Sequence, residues 1–431
     1  MRTKTTYQIK EDKPLFLEKL LRWSQQYEEV IWLDTNGNTD KFGDYEAILA
    51  VDALTLLQID CHNAFDELKD YQNAAQDWIF GYLTYDLKND IEDLKSNNFD
   101  GLSFPELYFF QPKKLFIIKD GVVEFHYLKM VDDEVDGDYD SILNTAVEST
   151  SSSNNSIKIK PRIRKDAYFE KVQEVLNHIH RGDIYEANFC QEFYAENSEI
   201  NALETYQRLN LISKTPFATF LKLNDKYLLS ASPERYLKKK GGTVISQPIK
   251  GTAKRSGDFD EDIQLKTMLQ NDEKERSENV MIVDLVRNDL SHTAVKGSVR
   301  VKELCEVYTF PQVHQMISTV VSEVAPETHP VDVIKTTFPM GSMTGAPKIS
   351  AMQIIEKLEE TKRGLYSGAV GYFDPYGNFD FNVVIRSILY NQSKSYISCS
   401  VGGAITAKSN PEKEYEECLI KAKALREVLE N

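Results

Sequence analysis

A mixed α and β fold is predicted by three features of the 431-residue sequence: strand-length runs that alternate apolar and polar residues, segments with apolar residues at helical spacing, and no internal repeat at a fixed period. A chain this long exceeds the usual size of one hydrophobic core, so two domains or one large two-layer domain are expected.

From the N-terminus, Glu29–Leu33 and Lys114–Ile118 alternate as strands do, and Trp78–Asp86 (WIFGYLTYD) reads as a buried strand with a glycine in it. The run Glu148–Ser156, ESTSSSNNS, is too polar to be held by burial. It divides an N-terminal region, residues 1–148, from a C-terminal region, 161–431, with 149–160 as a Ser/Asn-rich linker. Asp166 is placed to cap a helix carrying Phe169, Val172, Leu176 and Ile179, and Gly182 stands where a terminating glycine belongs. Tyr227–Ser232 reads as a strand. The last helix is expected to start at Asn410, with Pro411 in its first turn and an apolar face of Tyr415, Cys418, Leu419, Ala422, Leu425 and Leu429.

With 67 acidic against 51 basic residues the net charge is −16, which repels a phosphate backbone and an anionic membrane alike; no nucleic acid and no membrane are expected as partners. An anionic substrate would need a local cluster of cations or a bound metal. Cys61, Cys190, Cys305, Cys399 and Cys418 are scattered without a CxxC pair, which fits reduced thiols in the cytoplasm. The N-terminus lacks the apolar core of a signal peptide, and no stretch reaches the ~18 apolar residues of a membrane span.

Asp272–Leu290 (DEKERSENVMIVDLVRNDL) places Glu275 and Glu278 on one helical face, and Glu417 and Lys421 share a face of the final helix. Such spacing most often marks a solvated surface, but the apolar stretch Val280–Val286 gives the first helix a buried side. Glutamates from separate helices converging on a cavity would suit Mg²⁺, a hard cation that takes oxygen ligands and keeps positions open for water and substrate. Lys250, in Ser246–Arg255 (SQPIKGTAKR), is by residue type a surface charge at a turn. Buried beside a pocket it would have a lowered pKa and a free amine nucleophile, a shift of about three units or about 4 kcal/mol. Glu234 ends the strand in SASPER (Ser230–Arg235), where Arg235 could pair with it. Val401–Ala404 (VGGA) offers the amides of Gly402 and Gly403 as a nest for a carboxylate, although paired glycines more often just turn the chain. Arg386, within the strand-like run Phe381–Tyr390, needs an anionic partner.

Together these segments resemble the chorismate-utilising enzymes, which include anthranilate synthase component I, aminodeoxychorismate synthase component I and the isochorismate and salicylate synthases. The matching blocks are GDIYEAN (Gly182–Asn188), SASPER, PIKGT (Pro248–Thr252), DEKERSEN with VDLVRNDL, FPMGSMTGAPK (Phe338–Lys348), RGLYSGAVGY (Arg363–Tyr372) and EKEYEECLIKA (Glu412–Ala422). They cover nearly all of residues 165–425 in the family's order.

The resemblance implies an α+β fold of two large, mainly antiparallel β-sheets packed face to face with helices outside, and an active site at one end. Residues 1–148 look like the family's more variable N-terminal region, and 161–431 like its chorismate-binding catalytic domain. Carried over by motif, Glu278 and Glu417, with Glu275 beside them, would ligate Mg²⁺. Glu234 would be the general acid at the departing 4-hydroxyl, and Thr252, Tyr366, Arg386, Gly402, Gly403 and Lys421 would hold the substrate. Lys250 resembles the lysine of aminodeoxychorismate synthases, where anthranilate synthases carry alanine (PIAGT). Its amine would attack C2 of chorismate, expel the 4-hydroxyl through the conjugated ring and leave C4 open to ammonia.

The implied activity is conversion of chorismate and ammonia to 4-amino-4-deoxychorismate, on the route to 4-aminobenzoate and folate; the alternative is anthranilate or isochorismate synthesis on the same fold. The implied partners are chorismate, ammonia and a glutaminase (amidotransferase) subunit, because no Cys-His-Glu amidotransferase block is visible and the sequence runs only to Asn431, nine residues past the last matching block. Two features depart from the family. Gln315, in VHQMIS, stands where many relatives have histidine, and the N-terminal region lacks the LLES-type motif that accompanies tryptophan inhibition.

Overall fold

Apolar residues at period two make the strands, and in a computed structural model describing residues 1–38, 40–147 and 157–430 their ladders join into one hydrogen-bonded network of 20 strands. The polar run Glu148–Ser156 lies outside the described residues. Strands from either side of it pair antiparallel with each other, Glu29–Asp34 with Phe217–Leu223 and Ile79–Leu83 with Ala369–Phe373.

Ile31, Ile48, Phe80, Phe110, Leu221, Leu228, Val370 and Leu389 meet in a core supplied by strands and loops, which is the interior between two facing parts of the network. The outer faces carry two further cores. One packs against the helices Lys13–Trp23, Lys165–Arg181 and Pro411–Glu430, the other against Ala64–Ala75, Glu273–Ser291 and Pro330–Thr337. This is the expected α+β arrangement, with the two sheets continuous in hydrogen bonding rather than separate.

The expected strands at Glu29, Lys114 and Tyr227 are present as Glu29–Asp34, Leu107–Lys119 and Lys226–Ser232. Trp78–Asp86 is strand only over Ile79–Leu83, and the chain then turns through a 3₁₀ segment, Tyr85–Leu87. Gly81 is needed there for close approach, since a Cβ would stand 2.0 Å from the Tyr108 carbonyl oxygen.

The helix Lys165–Arg181 ends at Gly182 in the left-handed conformation, φ 89°, as expected. Its N-cap is Arg164, not Asp166; Asp166 is already helical and lies in the first turn, where a negative charge favours the helix dipole. In the final helix Asn410 Oδ1 accepts from the Glu412 and Lys413 amides, and Cys418, Ala422, Leu425 and Leu429 are buried. Leu419 is 36% exposed, because the buried stripe passes through Cys418 and the next residue is rotated about 100° away. No helix among the described residues is long and apolar enough to cross a membrane.

Candidate active site

A cavity of about 580 Å³ is walled by several of these elements. The turn at Glu234, the strand Ile249–Lys254, the helices Glu273–Ser291 and Pro411–Glu430, and the strand Tyr396–Thr406 all contribute to its wall. Glu234, Lys250, Thr252, Glu275, Glu278, Tyr366, Arg386, Gly402, Gly403, Glu417 and Lys421 all line it, although they come from segments spread over nearly 190 positions.

Glu234 sits in the turn between Lys226–Ser232 and Arg235–Lys240 and is 4% exposed. Burial pushes its carboxyl up to about 7, against the opposing effects of a hydrogen bond from Ser342 Oγ (2.8 Å to Oε1) and the charge of Lys250. A carboxyl near neutrality is suited to give up a proton. Arg235 does not pair with it. The guanidinium turns to the opposite side of the strand and binds Asp380 (Nε to Oδ1, 2.9 Å) and Asp40.

Lys250 reaches the cavity with its side chain 11% exposed, and its Nζ is 3.0 Å from Glu186 Oε1. The expected fall in its pKa does not occur. Burial does lower it, but the Glu186 carboxylate, followed by Glu278 and Glu234, outweighs burial and holds the amine above the ordinary lysine value. The lysine is therefore kept as an ammonium. Glu186 had no role in the sequence reading; its position within GDIYEAN was visible, but its pairing spans 64 residues and depends on the fold.

Two helices bring carboxylates to one wall. Asp272 Oδ1 accepts from the Glu275 amide (3.0 Å) and so starts the helix that carries Glu275 and Glu278. Glu278 Oε1 is buried without a hydrogen-bond partner, and Lys274 lies 3.7 Å away from it. Burial pushes Glu278 up to about 7 and also raises Glu275. On the facing helix Glu417 is also desolvated, yet its 2.6 Å ion pair with Lys421 keeps it below the usual carboxylate value. Among the described residues no group of three carboxylate, His or Cys side chains could hold an ion. A pair of glutamates with an unsatisfied oxygen, open to the cavity, instead fits a hard cation whose remaining positions are filled by water and substrate.

Two cations, Arg386 and Lys421, lie beside these carboxylates. Arg386 is not inside a strand; with φ 53° it forms a left-handed break between Phe379–Val383 and Ser387–Asn391, where the chain passes from one set of strand partners to another. Its Nη1 reaches the Lys421 carbonyl at 3.4 Å, and among the described residues the guanidinium has no ion-pair partner. Lys421 Nζ donates to the Gly402 carbonyl at 2.8 Å. Gly402 and Gly403 do not form a nest. They are extended, in register with Cys190 and Phe189, because the strand Tyr396–Thr406 holds its ladder with Glu186–Ala195 through this point. Gly402 is required by close packing, since a Cβ would stand 2.4 Å from Cys190 Sγ. Tyr366 is 4% exposed, and burial raises its hydroxyl well above the ordinary tyrosine value.

Gln315 pairs in register with Thr252 and presents a buried, unpartnered Oε1. Its neighbour His314 points away, to Asp262 and Thr309. Ser342 and Asn188, each inside a matching block, also line the cavity without having been singled out.

Over 264 residues, 61% of this chain and 58% of the relative, the sequence is 42% identical to aminodeoxychorismate synthase component 1 of Salmonella typhimurium, so it aligns with little more than half the length of that relative. It is 36% identical over 355 residues to an anthranilate synthase component I-like protein of Synechocystis sp., covering 82% of this chain and 72% of the other. The crystal structure of anthranilate synthase component I from Streptococcus pneumoniae TIGR4 superposes with a TM-score of 0.78 at 25% identity, over 88% of this chain and 91% of that one. A family model described as chorismate binding enzyme matches residues 27–427, and the chain belongs to that family.

Proposed function

We propose that the protein is the chorismate-aminating component of an aminodeoxychorismate synthase, forming 4-amino-4-deoxychorismate from chorismate and ammonia on the route to 4-aminobenzoate and folate. The observation that carries this reading is Lys250, a lysine in the cavity wall beside Glu234, in a chain 42% identical over 264 residues to a relative of that name. A family member without a nucleophile at this position would leave C2 open to ammonia.

Arg386 and Lys421 supply positive charge for the substrate carboxylates, and Tyr366 and Thr252 add hydroxyl donors. The Lys250 amine bonds to C2, the conjugated electrons move towards C4, and Glu234 gives its proton to the 4-hydroxyl as it leaves as water. Ammonia then adds at C4 and the lysine is released. Glu278 and Glu417, with Glu275 nearby, would hold Mg²⁺, which would supply the positive charge that a dianion needs in a chain of net charge −16. The ammonia would come from a glutaminase subunit, and reduced thiols fit a cytoplasmic enzyme.

The test is to incubate the purified chain with chorismate, Mg²⁺ and ammonium salts and to identify the product by mass and absorbance. The 4-amino isomer is expected. Anthranilate or isochorismate would sink the reading in favour of a relative with different chemistry. Glutamine should support turnover only once a glutaminase subunit is added, and glutamine-dependent turnover by this chain alone would refute the two-subunit arrangement.

A further inference from the structure

Glu186 is a charged group of the site that the proposed chemistry leaves unused. It begins the strand Glu186–Ala195, is 2% exposed, and is paired on both sides, with Ala346 and with Thr406. One carboxylate oxygen lies 3.0 Å from Lys250 Nζ, while the other is buried with no hydrogen-bond partner. As a device for stability this is poor. Desolvation offsets much of the attraction in a buried ion pair, and an oxygen left unsatisfied adds to the cost. Buried polar groups lacking partners call for another explanation, and here the partner is the amine that must react.

A lysine held as an ammonium has no lone pair, so one proton must leave before the nitrogen can bond to carbon. Among the described residues Glu186 is the acceptor within hydrogen-bond distance of that nitrogen. The other charged groups that act on Lys250 are Glu278 and Glu275, from the helix Glu273–Ser291, Glu234, from the turn before Arg235, and Glu417, from the helix Pro411–Glu430.

Resting on the reading of Lys250 as nucleophile, we propose that Glu186 takes the Lys250 proton as the amine attacks and returns it when the amine leaves. In the first half an ammonium N–H bond breaks, an O–H bond forms on Glu186, and the freed lone pair makes the N–C2 bond. The ring electrons shift to expel the 4-hydroxyl, which leaves as water with the Glu234 proton. In the second half the ammonia lone pair bonds to C4, and the N–C2 pair returns to the lysine nitrogen, which recovers its proton from Glu186. The new ammonium on the product reprotonates Glu234. One ammonia enters and one water leaves, with no net proton change.

Glu186→Gln tests this, because the amide keeps the shape and can accept a hydrogen bond but cannot take the proton. Enzyme, Mg²⁺ and chorismate are mixed without ammonia, and the Lys250 adduct is followed by quenched-flow mass spectrometry between about pH 6 and 9. Adduct formation by the parent should vary little with pH while Glu234 remains protonated, since a local acceptor is present. In the glutamine variant it should be about 100-fold slower near neutrality, and the ratio of its rate to the parent's should rise about tenfold per pH unit as the lysine loses its proton to solvent, both rates sharing the fall above about pH 7 as Glu234 ionises, with KM within about threefold of the parent.

A glutamine variant within about threefold of the parent rate, with the parent's pH profile, overturns the proposal, as does a loss confined to KM. If the glutamine variant fails to fold, Glu186→Asp carries the test: it should be slower yet keep the parent's profile, and a rate that rises with pH relative to the parent's overturns the proposal. Failure of the underlying reading looks different, because the parent itself would then form neither adduct nor 4-amino product, and the proposal would fall with it. Loss of the Glu186 role alone leaves the parent chemistry intact.

Discussion

Ser342 Oγ donates to Glu234 Oε1 at 2.8 Å across 108 residues, and this bond fixes a buried carboxyl over the cavity. The bond favours the ionised form, yet burial prevails and places the group at about 7. Its folded value lies above the ordinary 4.5, so the folded protein holds this proton longer than the unfolded chain does. Its stabilising effect is complete below about pH 4.5 and is lost as pH rises through about 7, by about 3 kcal/mol. Glu234→Gln should remove that loss. Urea denaturation should show little difference from the parent near pH 4, and a more stable variant by roughly 2–3 kcal/mol at pH 8. The same variant should be almost inactive. Equal stability gaps at both pH values would mean that Glu234 is not buried as a neutral acid.

Arg386 has no carboxylate partner among the described residues, which leaves its guanidinium free to bind one. A charge-assisted hydrogen bond contributes about 1.5–3 kcal/mol, so Arg386→Ala should raise KM for chorismate roughly 10- to 100-fold. The melting temperature should change little, because no ion pair within the protein is broken. A KM within about twofold of the parent would assign the substrate carboxylates to Lys421 alone.

How far the site can be read from sequence differs between its residues for physical reasons. Glu275 and Glu278 are legible because helical spacing and the apolar run after them place both on one partly buried face. Arg386 is legible as a charge in an apolar run, although its left-handed backbone is not, because that depends on which strands flank it. The pair Lys250–Glu186 is invisible at the level of spacing, and with it the sign of the lysine shift; both depend on the tertiary fold, which brings the start of Glu186–Ala195 beside Ile249–Lys254 although the two strands pair with different partners. The glycines at 402 and 403 suggest a turn by composition, but tertiary pairing makes them extended. Local chemistry is thus readable wherever the period of one element decides it, and unreadable wherever register between distant strands does.

Glu278 and Glu417 offer a direct test of the metal. In the free protein Glu278 Oε1 is unpartnered and its carboxyl is pushed up to about 7, so a cation there should relieve the strain of desolvated charge. Mg²⁺ at about 100 times its Kd should stabilise the parent by about 2.7 kcal/mol, visible as a raised melting temperature without substrate. Glu278→Ala and Glu417→Ala should lose that shift and also lose turnover, while remaining folded. Near-normal activity in either variant, or in excess EDTA, would refute the metal assignment.

Lys250→Ala separates covalent catalysis from mere binding. If the amine bonds to C2, rapid quenching of the parent with chorismate should trap a mass equal to the protein plus the ring after loss of water, localised by digestion to the peptide containing Lys250. The adduct blocks C2 and directs ammonia to C4. Removing the lysine removes both effects and leaves Glu186, now without its cation, buried and unpaired; that penalty should appear as lower stability above neutral pH and be absent from the double variant Lys250→Ala/Glu186→Gln. The double variant therefore reports the chemistry free of the stability loss. Its formation of 4-amino-4-deoxychorismate should fall by several orders of magnitude, and any residual ammonia addition should shift to C2, giving 2-amino-2-deoxyisochorismate or anthranilate. A residual rate within about tenfold of the parent, roughly 1.4 kcal/mol, with only the 4-amino product formed, would reduce Lys250 to a binding residue.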